Sequence, residues 1–129
     1  MRRTRAFTLV ELMAVLVIAG VLAFVATSSW PAYWQRTRRA AAGAALVGAL
    51  SQLELRHART GTYKDGTAPL PSVDGYSITD QRCFTIDSSL PWEQCIEVVA
   101  VSTRPDGACG YLTLRSTGER SPPNPACWP

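Results

Sequence analysis

One carboxylate stands inside the longest apolar stretch of this chain. Glu11 follows a basic N-terminus that carries Arg2, Arg3 and Arg5, and it precedes residues 12–26, which include no polar side chain. A carboxylate at the centre of a bilayer costs roughly 2.5–3.5 kcal/mol, so an ionisable residue in such a segment indicates a function and a partner of opposite charge. Glu11 is therefore the first candidate for functional chemistry.

Four cysteines form the second set of reactive residues, and all lie in the C-terminal half. Their even number predicts two disulfides in an extracytoplasmic compartment. A zinc site is the weaker interpretation, because zinc ligands favour close cysteine pairs and the single histidine, His57, lies far upstream. Four cysteines allow three pairings, and the sequence does not decide among them. We pair Cys109 with Cys127, because they bracket residues 111–115, which are predicted below as the last strand, and the proline-rich tail that follows. This leaves Cys83 with Cys95.

No residue pattern in the chain is typical of an active site. The serine pairs Ser28-Ser29 and Ser88-Ser89 have no histidine nearby in the sequence, and the acidic residues are scattered. There is no glycine-rich phosphate loop and no metal-ligand spacing. We therefore expect a protein that is not an enzyme and that uses no cofactor and no metal.

The apolar run that holds Glu11 predicts a membrane-spanning helix. Counted from Phe7 it is about 20 residues long, the length that crosses a bilayer. The arginines before it place the N-terminus in the cytoplasm and the rest of the chain outside, because basic residues stay on the cytoplasmic side. Trp30, Tyr33 and Trp34 follow the run, as aromatic residues do at a membrane–water boundary or between subunits of a filament.

A second helical segment is predicted over residues 33–59. It is rich in alanine, the best helix former, and Leu46, Leu50 and Leu53 recur on one face. Gly61 is a natural helix end. Pro31 predicts a kink near Trp30, since proline removes a backbone hydrogen bond.

From residue 61 onward the sequence changes to short β-type runs separated by turn residues. Strands are predicted at residues 76–79, 83–87, 96–102 and 111–115, and Pro105-Asp106-Gly107 predicts a hairpin turn between the last two. Gly118 is expected to end the last strand. The proline-rich tail cannot be a central strand.

The N-terminal residues resemble a known family. Arg5-Ala6-Phe7-Thr8-Leu9-Val10-Glu11-Leu12-Met13 closely resembles the class III signal of type IV pilins and related pseudopilins. An ordinary signal peptide or a plain membrane anchor would not explain Glu11. The resemblance implies cleavage by a prepilin peptidase between Ala6 and Phe7, with Ala6 where the family usually has glycine. It also implies N-methylation of Phe7 and pairing of Glu11 with the new amine of a neighbouring subunit during assembly.

The C-terminal residues carry a second resemblance. Cys109-Gly110-Tyr111-Leu112-Thr113-Leu114, the turn at Thr117-Gly118 and the final Cys127-Trp128 are similar to the end of PilE-type minor pilins. The resemblance favours a minor pilin of a type IV pilus over a type II secretion pseudopilin. It implies an α+β type IV pilin fold, in which a long N-terminal helix with an apolar protruding half packs on a small antiparallel β-sheet head.

The two resemblances together imply a division of the chain and a route through the cell. Residues 1–6 are the expected leader, residues 7–60 the N-terminal helix with 7–29 as its membrane or filament-core part, and residues 61–129 the head. The expected location is the inner membrane before assembly and the extracellular pilus afterwards. The expected partners are the prepilin peptidase and other pilin subunits, in a role that supports pilus biogenesis, adhesion or twitching motility.

A DNA-uptake pilin, similar to ComP, is the other interpretation within this family. DNA binding needs a basic surface, and Arg115 and Arg120 are the candidate phosphate contacts. The head, however, has five basic and eight acidic residues, a net charge of −3. DNA is therefore a candidate partner that the charge balance does not favour.

Overall fold

The fold consists of one long helix followed by a small antiparallel sheet. The computed structural model describes residues 7–64, 70–84, 90–91 and 93–129. Its elements are α1 (Leu9–Thr60), β1 (Tyr76–Arg82), β2 (Ile96–Ser102), β3 (Tyr111–Arg115) and β4 (Arg120–Ser121). This confirms the predicted α+β architecture. The chain divides into two compact units, with the boundary between Trp34 and Gln35 in the sequence, and each is described by itself.

The first unit is the apolar part of α1. The helix begins after Thr8, whose carbonyl accepts a hydrogen bond from the amide of Leu12 at 3.2 Å. The large apolar side chains from Phe7 to Val25 are 55–77 % exposed. By length and composition this part of α1 could cross a membrane. Soluble monomers rarely expose so much contiguous apolar surface, so lipid or another protein must cover it.

Pro31 lies inside α1, which continues through it instead of ending there. Proline has no amide hydrogen and leaves the carbonyl four residues earlier without its usual donor. The helix nevertheless persists to Thr60, where Gly61 adopts a positive φ of 75° and ends it as predicted. The bend near Trp30 stays a prediction.

The core of the second unit lies between the C-terminal part of α1 and one face of the sheet. Ala42, Leu46, Ala49 and Leu53 are buried at spacings of three and four residues, so they share one face of the helix. Leu50 packs against the same cluster and is partly buried. The sheet contributes the alternating side chains of β2 and the inward side chains of β3, which are Ile96, Val98, Ala100, Leu112 and Leu114.

The sheet has the order β1-β2-β3-β4, and each pair of neighbours is antiparallel. The bounds of β2 and β3 are those predicted. β1 is longer than predicted because its polar C-terminal residues pair in register with β2, from Asp80 with Val98 to Arg82 with Ile96. β4 was not predicted, and it follows the turn at Gly118, where φ is 86°. Of the strand predicted at residues 83–87, only the first two residues are described.

Two disulfides join Cys83 to Cys95 and Cys109 to Cys127, which confirms the predicted pairing. All four cysteines are buried, but only Cys109 and Cys127 belong to the main hydrophobic cluster. The indole nitrogen of Trp128 donates to the carbonyl of Pro122 at 3.0 Å. The tail is therefore anchored by a covalent bond in the core and by its own turn.

Replacement of Gly43 by alanine is expected to leave the fold intact and to raise its stability by up to about 1 kcal/mol, because alanine favours the helix interior over glycine. A Cβ built at Gly43 would lie 3.6 Å from Cε3 of Trp128, an ordinary contact distance, and nothing lies within 4 Å of a Cβ at Gly48. Urea unfolding of both alanine variants checks this. We expect similar gains in stability for the two alanine variants. Gly43→Leu should displace Trp128 and lower the stability. A loss for Gly43→Ala but not for Gly48→Ala would show that the contact with Trp128 does not accept a Cβ.

Candidate assembly segment and head network

Glu11 lies in the first turn of α1 and is exposed to solvent. Its amide donates to the hydroxyl of Thr8 at 3.3 Å, so Thr8 satisfies one of the free amides at the start of the helix. A carboxylate in the first turn is also favoured by the helix dipole. Among the described residues, no cation of the same chain forms a salt bridge with Glu11. The helix thus presents an exposed carboxylate that forms no salt bridge within the described residues.

Phe7 is the first described residue, and its side chain is 77 % exposed. The predicted cleavage residue Ala6 lies outside the described residues. Cleavage at Ala6–Phe7, methylation of Phe7 and the pairing of Glu11 therefore stay predictions.

The aromatic residues after the apolar segment contact one another. Trp34 makes edge-to-face contacts with Trp30 and Tyr33, with ring centroids 6.0 and 6.3 Å apart. All three are exposed, which suits side chains that combine a large apolar surface with a polar edge. The arrangement agrees with either a membrane boundary or a contact between subunits.

The second unit contains a buried polar network, between α1 and the head, that the sequence did not predict. The guanidinium of Arg39 donates two hydrogen bonds to the carboxylate of Asp106, one of them from Nε to Oδ2 at 3.1 Å. Tyr76 donates to the same Oδ2 at 2.9 Å, and Nη1 of Arg39 donates to the carbonyl of Ala126 at 3.1 Å. One side chain of α1 is thereby joined to β1, to the loop after β2 and to the C-terminal tail.

Both charges of this pair are largely removed from water. The side chains of Arg39 and Asp106 are 16 % and 9 % exposed. The sequence predicted Asp106 only as a turn residue, and Arg39 lies in a short basic patch with Arg36 and Arg38 that indicates no more than a solvated face. Neither residue carries a local pattern that points to the other, since 67 residues separate them.

The network shifts the ionisation of its members. The hydrogen bonds from Arg39 lower the pKa of Asp106 below its usual value, and the bond from Tyr76 acts in the same direction, against the opposing effect of burial. Burial, followed by the hydrogen bond to Asp106, raises the pKa of Tyr76 to about 12. The folded head therefore favours the carboxylate at position 106 and the neutral phenol at position 76.

Asp106→Asn is expected to reduce the loss in free energy of unfolding that acidification causes. Because the folded-state pKa of Asp106 is lowered, its ionisation stabilises the fold above the unfolded pKa of about 3.9, and this stabilisation is lost as pH falls through the folded value. Urea unfolding between roughly pH 7 and pH 2, a range that spans ordinary carboxyl titration, measures the free energy of unfolding at each pH. The variant should be less stable at neutral pH and lose less on acidification. Asp80→Asn, outside the network, is the matched control, and an unchanged acid slope for Asp106→Asn would contradict the assignment.

Arg115 and Arg120, the candidate DNA contacts, lie in different surroundings. Arg115 donates to Glu97 at 2.9 Å and to Glu119 at 2.8 Å, and it also donates to the carbonyl of Phe84 at 3.1 Å. Its positive charge is therefore offset by two carboxylates. The guanidinium of Arg120 lies 5.3 Å from the ring centroid of Trp128, a cation–π contact that leaves its charge in place. The DNA contact stays a prediction, and the surroundings of Arg115 do not favour it.

The described residues include no group of three or more histidine, cysteine, aspartate or glutamate side chains that could hold a metal ion. His57 stacks on Tyr63 with ring centroids 4.2 Å apart, and its Nε2 lies 3.1 Å from the carbonyl of Glu93. These contacts place His57 in the packing at the end of α1.

Two comparisons with known proteins bear on this arrangement. The family model for the prokaryotic N-terminal methylation motif matches residues 1–27. A solved structure of a type IV pilin from Shewanella oneidensis matches with a TM-score of 0.56 and 29 % sequence identity, over 74 % of this chain and 98 % of that chain. No curated protein matches the chain at a significant level.

The two matches cover complementary features. The methylation motif covers the N-terminal residues through most of the apolar segment, where Phe7 and Glu11 lie, and the structural match extends over most of the chain. The motif match spans the part of the chain that holds the carboxylate, and the structural match agrees with a helix packed on a four-stranded antiparallel sheet. Together they show that the chain is similar to type IV pilins both in its N-terminal motif and in its fold.

Proposed function

We propose that this chain is a minor pilin of a type IV pilus that enters the filament and supports pilus biogenesis, adhesion or twitching motility. The similarity to type IV pilins supports assembly with other pilin subunits and processing by a prepilin peptidase. The minor role is inferred from the C-terminal residues from Cys109 to Trp128, which resemble those of PilE-type minor pilins.

The observation that carries the proposal is the exposed apolar segment with Glu11 in its first turn. Its large apolar side chains are uncovered in the single chain, so burying them in a bundle of like helices would be strongly favourable. A carboxylate within that bundle needs a cation. The amine of Phe7, which would exist only after cleavage behind Ala6, supplies one at the corresponding depth of a neighbouring subunit.

The proposed path begins in the inner membrane. The N-terminus faces the cytoplasm, residues 1–6 are removed there, and Phe7 is methylated. Residues 7–29 hold the subunit in the bilayer as a single span, and the head from residue 61 lies outside. The subunit then leaves the membrane for the extracellular filament.

Identification of the proteins that co-purify with the tagged full chain tests this function. Sheared pilus fractions and membrane fractions are collected separately, and the mass of the N-terminal peptide is measured in both. We expect the mature chain beginning at methylated Phe7, together with other pilins, in the pilus fraction. Association with secretion-system components only, or recovery only in the membrane, would overturn the pilus assignment and leave the type II secretion alternative.

A further inference from the structure

A small cavity in the second unit is lined by two arginines whose positive charges are only weakly offset by a carboxylate. It has a volume of about 40 Å³, and its lining includes Gln35, Arg38, Ser102 and Arg104. The amide of Gln35 and the hydroxyl of Ser102 add neutral polar groups to the two guanidinium groups. A cavity of this size and polarity suits a small anionic group rather than an apolar ligand.

Asp74 is a described carboxylate that forms an ion pair with both arginines, and both pairs are long. Its oxygens lie 3.7 Å from Nε of Arg38 and 3.7 Å from Nη2 of Arg104. Both distances exceed the usual range of a hydrogen bond between such groups. The Asp74 side chain is 78 % exposed, and exposed ion pairs of this kind contribute little because water and salt screen them.

Arg38 is held in place with one donor unused. Its Nε is buried and forms no hydrogen bond within the described part of the chain. The side chain packs on the backbone at Gly75, where a Cβ would lie 3.4 Å from Cδ of Arg38 and where φ is 84°. A buried donor without an acceptor is unfavourable, so an anion that accepted from Nε would be stabilised at this position.

The neighbouring charges do not satisfy this need. Asp106 also lines the cavity, but its two oxygens already accept hydrogen bonds from Arg39 and Tyr76. The five charged groups, Arg38, Arg39, Arg104, Asp74 and Asp106, sum to a charge of +1. The site thus has both a positive charge and an unused directional donor.

We propose that Arg38 and Arg104 bind a phosphate group, and that in the cell this group belongs to an anionic phospholipid. A tetrahedral phosphate accepts from several guanidinium donors at once. It would displace Asp74 and supply the acceptor that Nε of Arg38 lacks. The position in the chain favours a lipid source, because Gln35 directly follows Trp34, the last of the exposed aromatic residues after the apolar segment, and basic residues next to a membrane segment are attracted to anionic headgroups. The proposal does not depend on the pilus role of the chain.

Titration of the full chain in maltoside micelles, which contain no phosphate, tests the site. The probes are dihexanoyl phosphatidylglycerol, inorganic phosphate and a short DNA duplex, and the readout is the NMR signal of the Arg38 Nε–H group, assigned by its loss in Arg38→Gln. We expect a saturable shift with the lipid and weaker binding of free phosphate. Arg104→Gln should weaken lipid binding about tenfold by removing charge-assisted hydrogen bonds. Arg36→Gln, which removes an exposed charge on the same helix outside the cavity, is the matched control.

Asp74→Asn provides a test in the opposite direction. Removal of the competing carboxylate should tighten lipid binding about threefold, since an exposed charge at this distance acts weakly. Absence of a saturable shift, or equal losses in Arg104→Gln and Arg36→Gln, would overturn the site. Equal or tighter binding of inorganic phosphate would support the anion site and overturn the lipid source, and tighter binding of the DNA duplex would overturn the lipid assignment in favour of nucleic acid.

Discussion

Loss of the Cys109–Cys127 disulfide is expected to lower the free energy of unfolding by about 3 kcal/mol or more, since a cross-link closing a loop of roughly this length restricts the unfolded chain by that amount. The two residues are 18 positions apart, and both side chains are in the main hydrophobic cluster. The tail also contributes contacts of its own, because Arg39 donates to the carbonyl of Ala126. Cys109→Ala/Cys127→Ala should therefore lose both the cross-link and part of the packing around the tail.

The second disulfide provides a matched comparison. Cys83 and Cys95 are 12 positions apart, so the cross-link term differs from that of the first disulfide by only about 0.4 kcal/mol. They are buried, but they lie outside the main cluster. Urea unfolding of the full chain in micelles should show the larger loss for the Cys109/Cys127 variant. Limited proteolysis should release the tail in that variant only, and equal stability losses with an intact tail would contradict the proposed anchoring.

The prediction of β2 and β3 succeeded because their side chains alternate between the core and the other face of the sheet. Ile96, Val98 and Ala100 fall on one face by simple alternation, and the bounds of the strand follow from the turn residues on either side. β1 was predicted too short because the sequence alone did not indicate its C-terminal residues as strand. Asp80 and its polar neighbours have low strand propensity, and only the register with β2 keeps them in the sheet.

The contacts that could not be predicted join residues far apart in the sequence. β4 has only two residues, Arg120 and Ser121, and precedes a proline-rich tail, so no period or propensity indicates it. Glu97 alternates along β2 with Ile96 and Val98 and so faces away from the core, but Arg115 and Gln81 cover its carboxylate. Its burial depends on partners that only the folded sheet brings together.

The apolar segment that holds Glu11 could be predicted because its signal is local. A carboxylate in an apolar run is a local anomaly that can be recognised in the sequence alone, whereas the pair of Arg39 and Asp106 is visible only in the folded head. The disulfide pairing could also be predicted, because Cys109 and Cys127 bracket the last predicted strand and the tail. The cavity beside Arg38 had no sequence signal beyond a short basic patch.

Glu11→Ala is expected to reduce incorporation of the subunit into filaments at least about tenfold, while the amount in the membrane stays equal or rises. A pairing that contributes only about 1.4 kcal/mol would already account for a tenfold change in an equilibrium, and loss of one partner leaves the other charge uncompensated in an apolar environment. Removal of the carboxylate also removes its cost in lipid, which is roughly 2.5–3.5 kcal/mol. The variant should therefore be more stable as a membrane-held subunit and less able to leave the membrane.

Two further variants separate the charge from the shape of the side chain. Val10→Ala truncates the neighbouring exposed residue and should assemble normally, which controls for changes in expression and insertion. Glu11→Gln keeps the size of the side chain without its charge, and it should fail as Glu11→Ala does. Immunoblots of sheared filaments and of membranes measure both pools for each variant. Normal incorporation of Glu11→Gln would contradict the ionic pairing, because the apolar helix alone would then suffice to draw the subunit into the filament.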